Sequence, residues 1–423
     1  MIYHKKILPN GLRVVTVPMK DNPTVTVLVM VEAGSKYETK EVNGISHFLE
    51  HMCFKGTKNR PKSIDISREL DSVGSEYNAF TSQEFTGYYA KADYRHIDKV
   101  LDVVSDLYLN PTFPEAEMEK EKGVITEEIN MYQDLPQRRV QDLFMELLYG
   151  DQPAGWNIAG PKENIKKMKI GDFWNYRKAH YLPGKTVVAV AGNFPEKAVL
   201  KKVEQKFGEM SRGAKNDKLP VKESQEKPEI KIEFKKTDQT HLVLGVRSFD
   251  MYYKKEPVMQ IIATILGGGM SSRMFQKMRE ELGICYYAKA GDNAFTDHGF
   301  LEAFAGVDNT RLNEAISAIL EEFRRLKDEP VSKEELQKAK DYFIGSMFLG
   351  LESSDSLAEY YGGQEIFKKK IKNPDQVAKE IKKVTAKDVA KIAKEIFQDK
   401  NLNLAIVGPV ENTSSIEKIL KIG

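Results

Sequence analysis

The sequence predicts an α+β protein built from two homologous domains, and three observations carry that expectation. Length is the first, because 423 residues exceed one ordinary hydrophobic core. A repeat is the second. "VVAVAGNFPEKAVLKKVEQKFG" (187–208) and "LNLAIVGPVENTSSIEKILKIG" (402–423) each read as a buried strand, a glycine turn and a helix. Gly192 and Gly408 are 216 positions apart, and so are Asp172 and Asp388 in the helix-like "KIGDFWNYRKAHY" and "TAKDVAKIAKEIF". One offset at two landmarks points to a duplicated domain of about 210 residues. The third observation is that strands and helices occur without regular alternation, which favours helices layered on a mostly antiparallel sheet. The expected domains are 1–210 and 230–423, joined by the polar linker "SRGAKNDKLPVKESQEKPE" (211–229).

The elements follow in order. In "MIYHKKILPNGLRVVTV" the Asn10-Gly11 pair reads as a turn between two short strands, and no apolar leader region precedes it. "TVTVLVMVEAG" and "HLVLGVRSF" read as strands, and "YNAFTSQEFTGYYAKA" as a hairpin. "EAEMEKEKGVITEEINMYQ" reads as a long helix. The helices holding Asp172 and Asp388 are expected to be capped just ahead of those aspartates.

Composition narrows the function classes. The chain is 41% hydrophobic and 30% charged, with 64 basic against 62 acidic residues. A net charge of +2 offers no broad attraction to nucleic acid or to a membrane surface, so neither is an expected partner. No apolar run of about 18 residues is present to span a bilayer. Two cysteines form no disulfide framework, which suits a reducing compartment and predicts a cytoplasmic protein.

The stretch "HFLEHMCFKGT" (47–57) carries chemistry. On a helix His47 and His51 share a face and Glu50 lies beside them. Two imidazoles at this spacing can hold one Zn²⁺, with the carboxylate within reach of its water. Asn43 or Ser46 can start the helix, Phe48, Leu49, Met52 and Phe54 supply packing, and Gly56 can stop it. Cys53 is turned away from the histidine face and reads as a small buried hydrophobe.

A third ligand is sought in "EMEKEKGVITEEINMYQD" (117–134). Glu121 and Glu128 are two helical turns apart, with Val124 and Ile125 between them on a face expected to be partly buried. A buried carboxylate pair asks for a cation or strong donors. Glu127 is rotated by about 100° and falls towards solvent, yet it remains a rival. A charged surface helix is the competing reading, supported by Glu117, Glu119, Lys120 and Lys122.

Taken together, "HFLEH" and, 77 positions after His51, the second glutamate of "VITEEI" resemble the inverted-motif zinc peptidases. That family includes pitrilysin, insulin-degrading enzyme and the mitochondrial processing peptidase. "YNAFTSQEFTGYY" (77–89) looks like the family's substrate-binding hairpin, and "LGGGMSSRMFQKMREELGICYYAKA" (266–290) like its second-half signature. The resemblance covers essentially the whole chain and points to the branch of short, dimerising chains.

It implies His47, His51 and Glu128 as ligands of one Zn²⁺ per chain, Glu50 as general base, and Glu121 as the group that orients a ligand. Asn78, Ala79 and Phe80 would lie along an extended substrate on an edge strand. Arg279 and Tyr286 would bind the substrate backbone and its polarised carbonyl, with Tyr287 as the alternative tyrosine. The glycines of "GGGMSSR" lack the Lys-Ser/Thr ending of a phosphate loop, so nucleotide binding is rejected. The second half has no His-x-x-Glu-His, and His241 and His298 read as ordinary surface or packing residues. The implied activity is a zinc endopeptidase that cleaves peptides or unfolded polypeptides inside a closed chamber. A homodimer is the simpler assembly and a heterodimer the other. The competing class is a non-catalytic assembly subunit of the same fold.

Overall fold

Apolar runs bounded by turn residues become the strands of two mixed sheets in the computed structural model, which describes residues 2–213, 217–368 and 370–423. Residues 214–216 of the expected linker lie outside the described residues. The first sheet takes β1 (His4–Ile7), β2 (Arg13–Pro18), β3 (Thr24–Val31), β4 (Glu76–Thr81), β5 (Thr86–Asp93) and β6 (Thr186–Gly192). Their spatial order is β1-β2-β6-β3-β5-β4, with β2 and β6 parallel and the remaining pairs antiparallel. Asn10 and Gly11 turn the chain between β1 and β2, where Gly11 takes φ +97°.

β3 and β6 are buried along nearly their whole length, so both faces of this sheet need cover. One face presents Val25, Val27, Val29, Tyr88, Ala90, Val188 and Val190. The helices α1 (Ile45–Cys53) and α2 (Ile97–Leu109) pack on it through residues such as Phe48, Leu49, Met52, Val100 and Val104. The other face is covered by α8 (Ser354–Phe367), whose Leu357, Ala358 and Tyr361 are buried. Gly362 lets α8 approach closely, since a Cβ there would stand 3.0 Å from Met30 Sδ and 3.3 Å from Ala189 Cβ. Polar bonds hold both ends of this helix. Ser354 Oγ lies 2.9 Å from Thr24 Oγ1 and 2.8 Å from Thr26 Oγ1. At the far end the buried Glu365 carboxylate meets Lys5 Nζ at 2.7 Å, and Arg13 Nη1 donates to the Glu365 carbonyl at 2.7 Å.

The second sheet repeats the plan with β7 (Glu229–Phe234), β8 (Gln239–Ser248), β9 (Cys285–Ala294), β10 (Gly299–Asp308) and β11 (Leu402–Gly408). Its order, β7-β11-β8-β10-β9, matches β2-β6-β3-β5-β4 strand for strand, including one parallel pair. Here α6 (Glu256–Gly267) packs on one face, and α4 (Pro136–Tyr149) covers the other with Val140, Leu143, Phe144 and Leu148. The repeated landmarks fall where the offset placed them. Gly192 and Gly408 end β6 and β11. Asp172 and Asp388 sit in the first turns of α5 (Ile170–His180) and α9 (Ala386–Ile396). Asp172 accepts from the Lys169 backbone at 2.8 Å, and Asp388 from that of Thr385 at 3.1 Å.

The compact units are not the two stretches on either side of 211–229. One comprises Met1–Ile129, Trp156–Leu219 and Phe348–Asn373; the other comprises Asn130–Gly155, Pro220–Met347 and Pro374–Gly423. The chain leaves the first unit within α3 (Glu115–Asp134), returns at Trp156, leaves again after Leu219 and re-enters it within α7 (Lys333–Gly350). Among the described residues no helix is long and apolar enough to cross a membrane.

Close packing under α8 is testable. Gly362→Val pushes a branched side chain into Met30 and Ala189 and should lower unfolding stability by about 1–3 kcal/mol. Urea denaturation monitored by circular dichroism measures this, and an unchanged midpoint would refute the tight contact.

Candidate metal centre

The helix α1 owes its position to a residue that the sequence pattern did not single out. It begins at Ile45, after Gly44 in a left-handed conformation with φ +102°. Neither Asn43 nor Ser46 caps it with its side chain. The cap is supplied by Glu38, eight positions before Ser46. Its Oε2 accepts from Gly44 N at 2.8 Å and Asn43 Nδ2 at 2.9 Å, and its Oε1 accepts from Ser46 N at 2.8 Å. A carboxylate there satisfies free N–H groups and complements the positive end of the helix. Burial pushes Glu38 up to about 7, although these bonds pull it the other way. Ser46 Oγ meets Tyr176 Oη instead, at 2.7 Å. Cys53 is buried with its thiol beside Tyr88 Oη, away from the histidines, as a small hydrophobe should be.

On α1, His47 and His51 place their Nε2 atoms 3.3 Å apart. From α3, Glu128 Oε2 stands 3.6 Å from His47 Nε2 and 3.5 Å from His51 Nε2. A tetrahedral zinc site with bonds of about 2.0–2.2 Å has donor-to-donor edges of about 3.3–3.6 Å, so this triangle fits the ion. Among the described residues it is the one cluster of histidine, cysteine and carboxylate groups with such spacing. Burial, reinforced by the neighbouring His51, pushes His47 down to about 3, which keeps it in the neutral form that binds metals. His51 is pulled down by burial, but the bond to Glu121 and the charges of Glu50 and Glu128 outweigh it and hold this imidazole above its ordinary value.

Glu121 accepts at Oε1 from His51 Nδ1 at 2.9 Å, while its Oε2 pairs with Lys55 Nζ at 2.6 Å. Donation from Nδ1 leaves the Nε2 lone pair directed towards the triangle. Burial raises the Glu121 carboxyl, yet its two partners prevail and hold it below the usual range. The buried stripe of α3 consists of Met118, Glu121, Ile125 and Ile129, with Glu128 at its margin. Val124 departs from expectation: it is 52% exposed, because it lies on the far side of Glu128 from that stripe. Glu127 is exposed, so it does not compete with Glu128 for the triangle.

Glu50 is buried beside the histidines and accepts a 2.6 Å bond from Thr81 Oγ1. Burial holds its carboxyl above the ordinary range, and the Thr81 bond only partly offsets this. Thr81 is the last residue of β4, an outermost strand with one free edge. Asn78, Ala79 and Phe80 precede it on the same strand. Ala79 packs against the core beneath α1, whereas Phe80 lies over Gly87 on the opposite face. Glu38, Lys55 and Thr81 were missed by sequence reasoning. Thr81 had a signal, since it directly follows Asn78, Ala79 and Phe80 within "YNAFTSQEFTGYY"; Glu38 had none without the fold.

Arg279 and Tyr286 belong to the second unit and meet each other. Arg279 Nη1 donates to the Tyr286 carbonyl at 3.1 Å, and its guanidinium lies 4.8 Å from the centre of the Tyr286 ring. Tyr286 is 73% exposed, while its rival Tyr287 bonds His241 Nδ1 at 3.0 Å. His241 and His298 are buried packing residues. The Glu38 cap generates a test. Glu38→Ala strands the Gly44 and Ser46 N–H groups and should cost about 1–3 kcal/mol of unfolding free energy. Denaturation midpoints equal to those of the parent would exclude the capping role.

Comparison with known proteins identifies the family. Residues 13–162 match the family described as Insulinase (Peptidase family M16), and residues 167–343 match the description Peptidase M16 inactive domain. The chain is similar to the uncharacterized zinc protease YmxG of Bacillus subtilis (strain 168), with 35% identity over 413 residues, covering 96% of this chain and 98% of that protein. It is similar also to the uncharacterized zinc protease ML0855 of Mycobacterium leprae, with 32% identity over 420 residues, 98% of this chain and 94% of the relative. Among solved structures, a protease from Helicobacter pylori shares the fold with a TM-score of 0.89 at 22% identity, over 96% of this chain and 99% of that one. A peptidase M16 inactive domain from Pseudomonas fluorescens does so with a TM-score of 0.88 at 16% identity, over 97% and 99%. Matched by family and by relatives along nearly its whole length, the chain belongs to the M16, or insulinase, family of peptidases.

Proposed function

We propose that this chain is a zinc-dependent endopeptidase that hydrolyses internal bonds of peptides or unfolded polypeptides within a closed chamber. The observation that carries this reading is the His47, His51 and Glu128 triangle with the Glu50 carboxylate on the same helix. Those three residues hold one zinc ion per chain, with Glu121 orienting His51. When bound, zinc supplies Lewis acidity, which makes a water easier to deprotonate and a carbonyl easier to attack.

The remaining work falls to the chain's own groups. Glu50 takes a proton from the attacking water as its oxygen bonds to the carbonyl carbon. It then delivers that proton to the amine nitrogen as the C–N bond breaks. A carboxyl raised by burial suits both halves of this transfer. Asn78, Ala79 and Phe80 align an extended substrate on the free edge of β4. Arg279 and Tyr286 supply donors to the substrate carbonyl where negative charge develops, and the exposed position of Tyr286 supports this.

In this reading the first repeat, residues 1–210, supplies the catalytic residues, and the second, 230–423, is a degenerate copy. Two copies of the chain act as a homodimer in which Arg279 and Tyr286 serve the partner's zinc site. The free cysteines Cys53 and Cys285 suit the reducing cytoplasm, where we place the protein.

Substituting Glu50→Gln should lower kcat by about 10²–10⁴-fold. Elemental analysis should still find one zinc per chain, and full hydrolysis by this variant would sink the mechanism. Glu121→Ala, by freeing the His51 ring, should weaken zinc binding about 10–100-fold in a chelator competition. Unchanged affinity would remove Glu121 from its orienting role.

A further inference from the structure

The first unit carries an open cavity of about 550 Å³ that the hydrolytic groups do not use. Its walls include Met30, Phe80, Phe85, Leu351, Glu359 and Tyr360. It exists because α8 lies over β3, β6 and β2, without comparable packing on the outer strands β5 and β4. Aromatic rings line the exposed part of that face. The Phe80 ring centre lies 5.9 Å from that of Phe85 and 6.4 Å from that of Tyr89.

Charge at this trough is unbalanced. Asp355, one turn earlier on α8, is neutralised by Lys91 Nζ at 2.7 Å. Glu359 makes no ion pair or hydrogen bond among the described residues. Glu359 is exposed at its surface but partly shielded by the trough, and this shielding and the nearby Asp355 both raise its carboxyl, so a cation arriving there would relieve the second of these. Aromatic faces beside an unpaired carboxylate recognise an aliphatic stem that ends in a positive charge.

Strand geometry links the trough to the free edge. Side chains of an extended peptide paired with β4 alternate between the two faces of the sheet. Those level with Ala79 and Thr81 fall on the α1 face, with Glu50. Those level with Asn78 and Phe80 fall on the α8 face, beside the trough, because Phe80 is registered with Gly87 and Gly87 with Met30.

We propose that this trough is a specificity subsite that takes a lysine or arginine side chain of a peptide lying on β4, and that Glu359 determines the preference. The proposal rests on the peptidase reading given above. Met30, Phe85 and Leu351 receive the stem, Phe80 and Tyr360 face the cation, and Glu359 pairs with it.

The test uses one peptide scaffold with Lys, Arg, Met, Phe or Glu placed at each position in turn. Cleavage by the zinc-loaded protein is read as kcat/KM, and binding to Glu50→Gln as fluorescence anisotropy. At one position Lys and Arg should exceed Met by about fivefold and Glu by more. Glu359→Gln should erase that ratio, and Glu359→Lys should turn it towards Glu. Because Glu359 is exposed and makes no bond, both variants should melt with the parent protein. Cleavage without a basic preference, a preference for Phe, or a basic preference that survives Glu359→Gln overturns the subsite and leaves the peptidase reading standing. A Glu359-dependent preference in binding, with no cleavage by the parent, supports the subsite and overturns the peptidase reading.

Discussion

Sheets whose central strands are apolar on both sides must be covered on both sides, and the architecture follows from that demand. β3 and β6 present no solvated face, so a single layer of helices would leave half of their side chains in water. In the first unit α1 and α2 cover one face and α8 the other. In the second, α6 and α4 play these parts. The outer helix of each unit comes from a distant stretch of sequence: α4 directly follows α3, and α8 directly follows α7. A helix used this way brings polar groups under cover, and those at its two ends have partners. Ser354 meets two threonines, and Glu365 meets Lys5 and Arg13.

The catalytic proposal depends on the rigidity that results. α1 is buried along Phe48, Leu49 and Met52 and fixed at its start by Glu38, so both imidazoles have little freedom to depart from their shared face. The third corner comes from α3, whose position is set by Ile125 and Ile129 in the same core. Outside the triangle, Lys55 and Glu121 form a chain of charge-assisted bonds that ends on His51. Glu50 is tied to the end of β4 through Thr81, so the proposed base and the proposed substrate edge share one strand.

Duplication and divergence are separable here. Strand order and the single parallel pair are the same in both sheets, because they are dictated by backbone pairing and burial. The chemistry is not repeated: among the described residues only the first unit assembles a cluster of potential metal ligands. The aromatic trough and unpaired Glu359 lie where α8 leaves the two outer strands β5 and β4 uncovered.

The sequence by itself determined everything that depends on local spacing. A helical i, i+4 pair places His47 and His51 together, a seven-residue step keeps Glu121 and Glu128 near one face, and a constant offset reveals the repeat. The Asn10-Gly11 turn and the strand runs followed from residue preferences alone. Tertiary structure decided whatever depends on packing between distant segments. Val124 belongs to the exposed side of α3 although the helical pattern had grouped it with Ile125, because the neighbouring core meets only a narrow stripe of that helix. Glu38 caps α1 from a preceding turn, in place of Asn43 or Ser46, because the chain folds back and buries a carboxylate against free N–H groups. The exchange of α4 and α8 between units was equally hidden, since hydrophobic periodicity tells a helix which face to bury and not against which sheet.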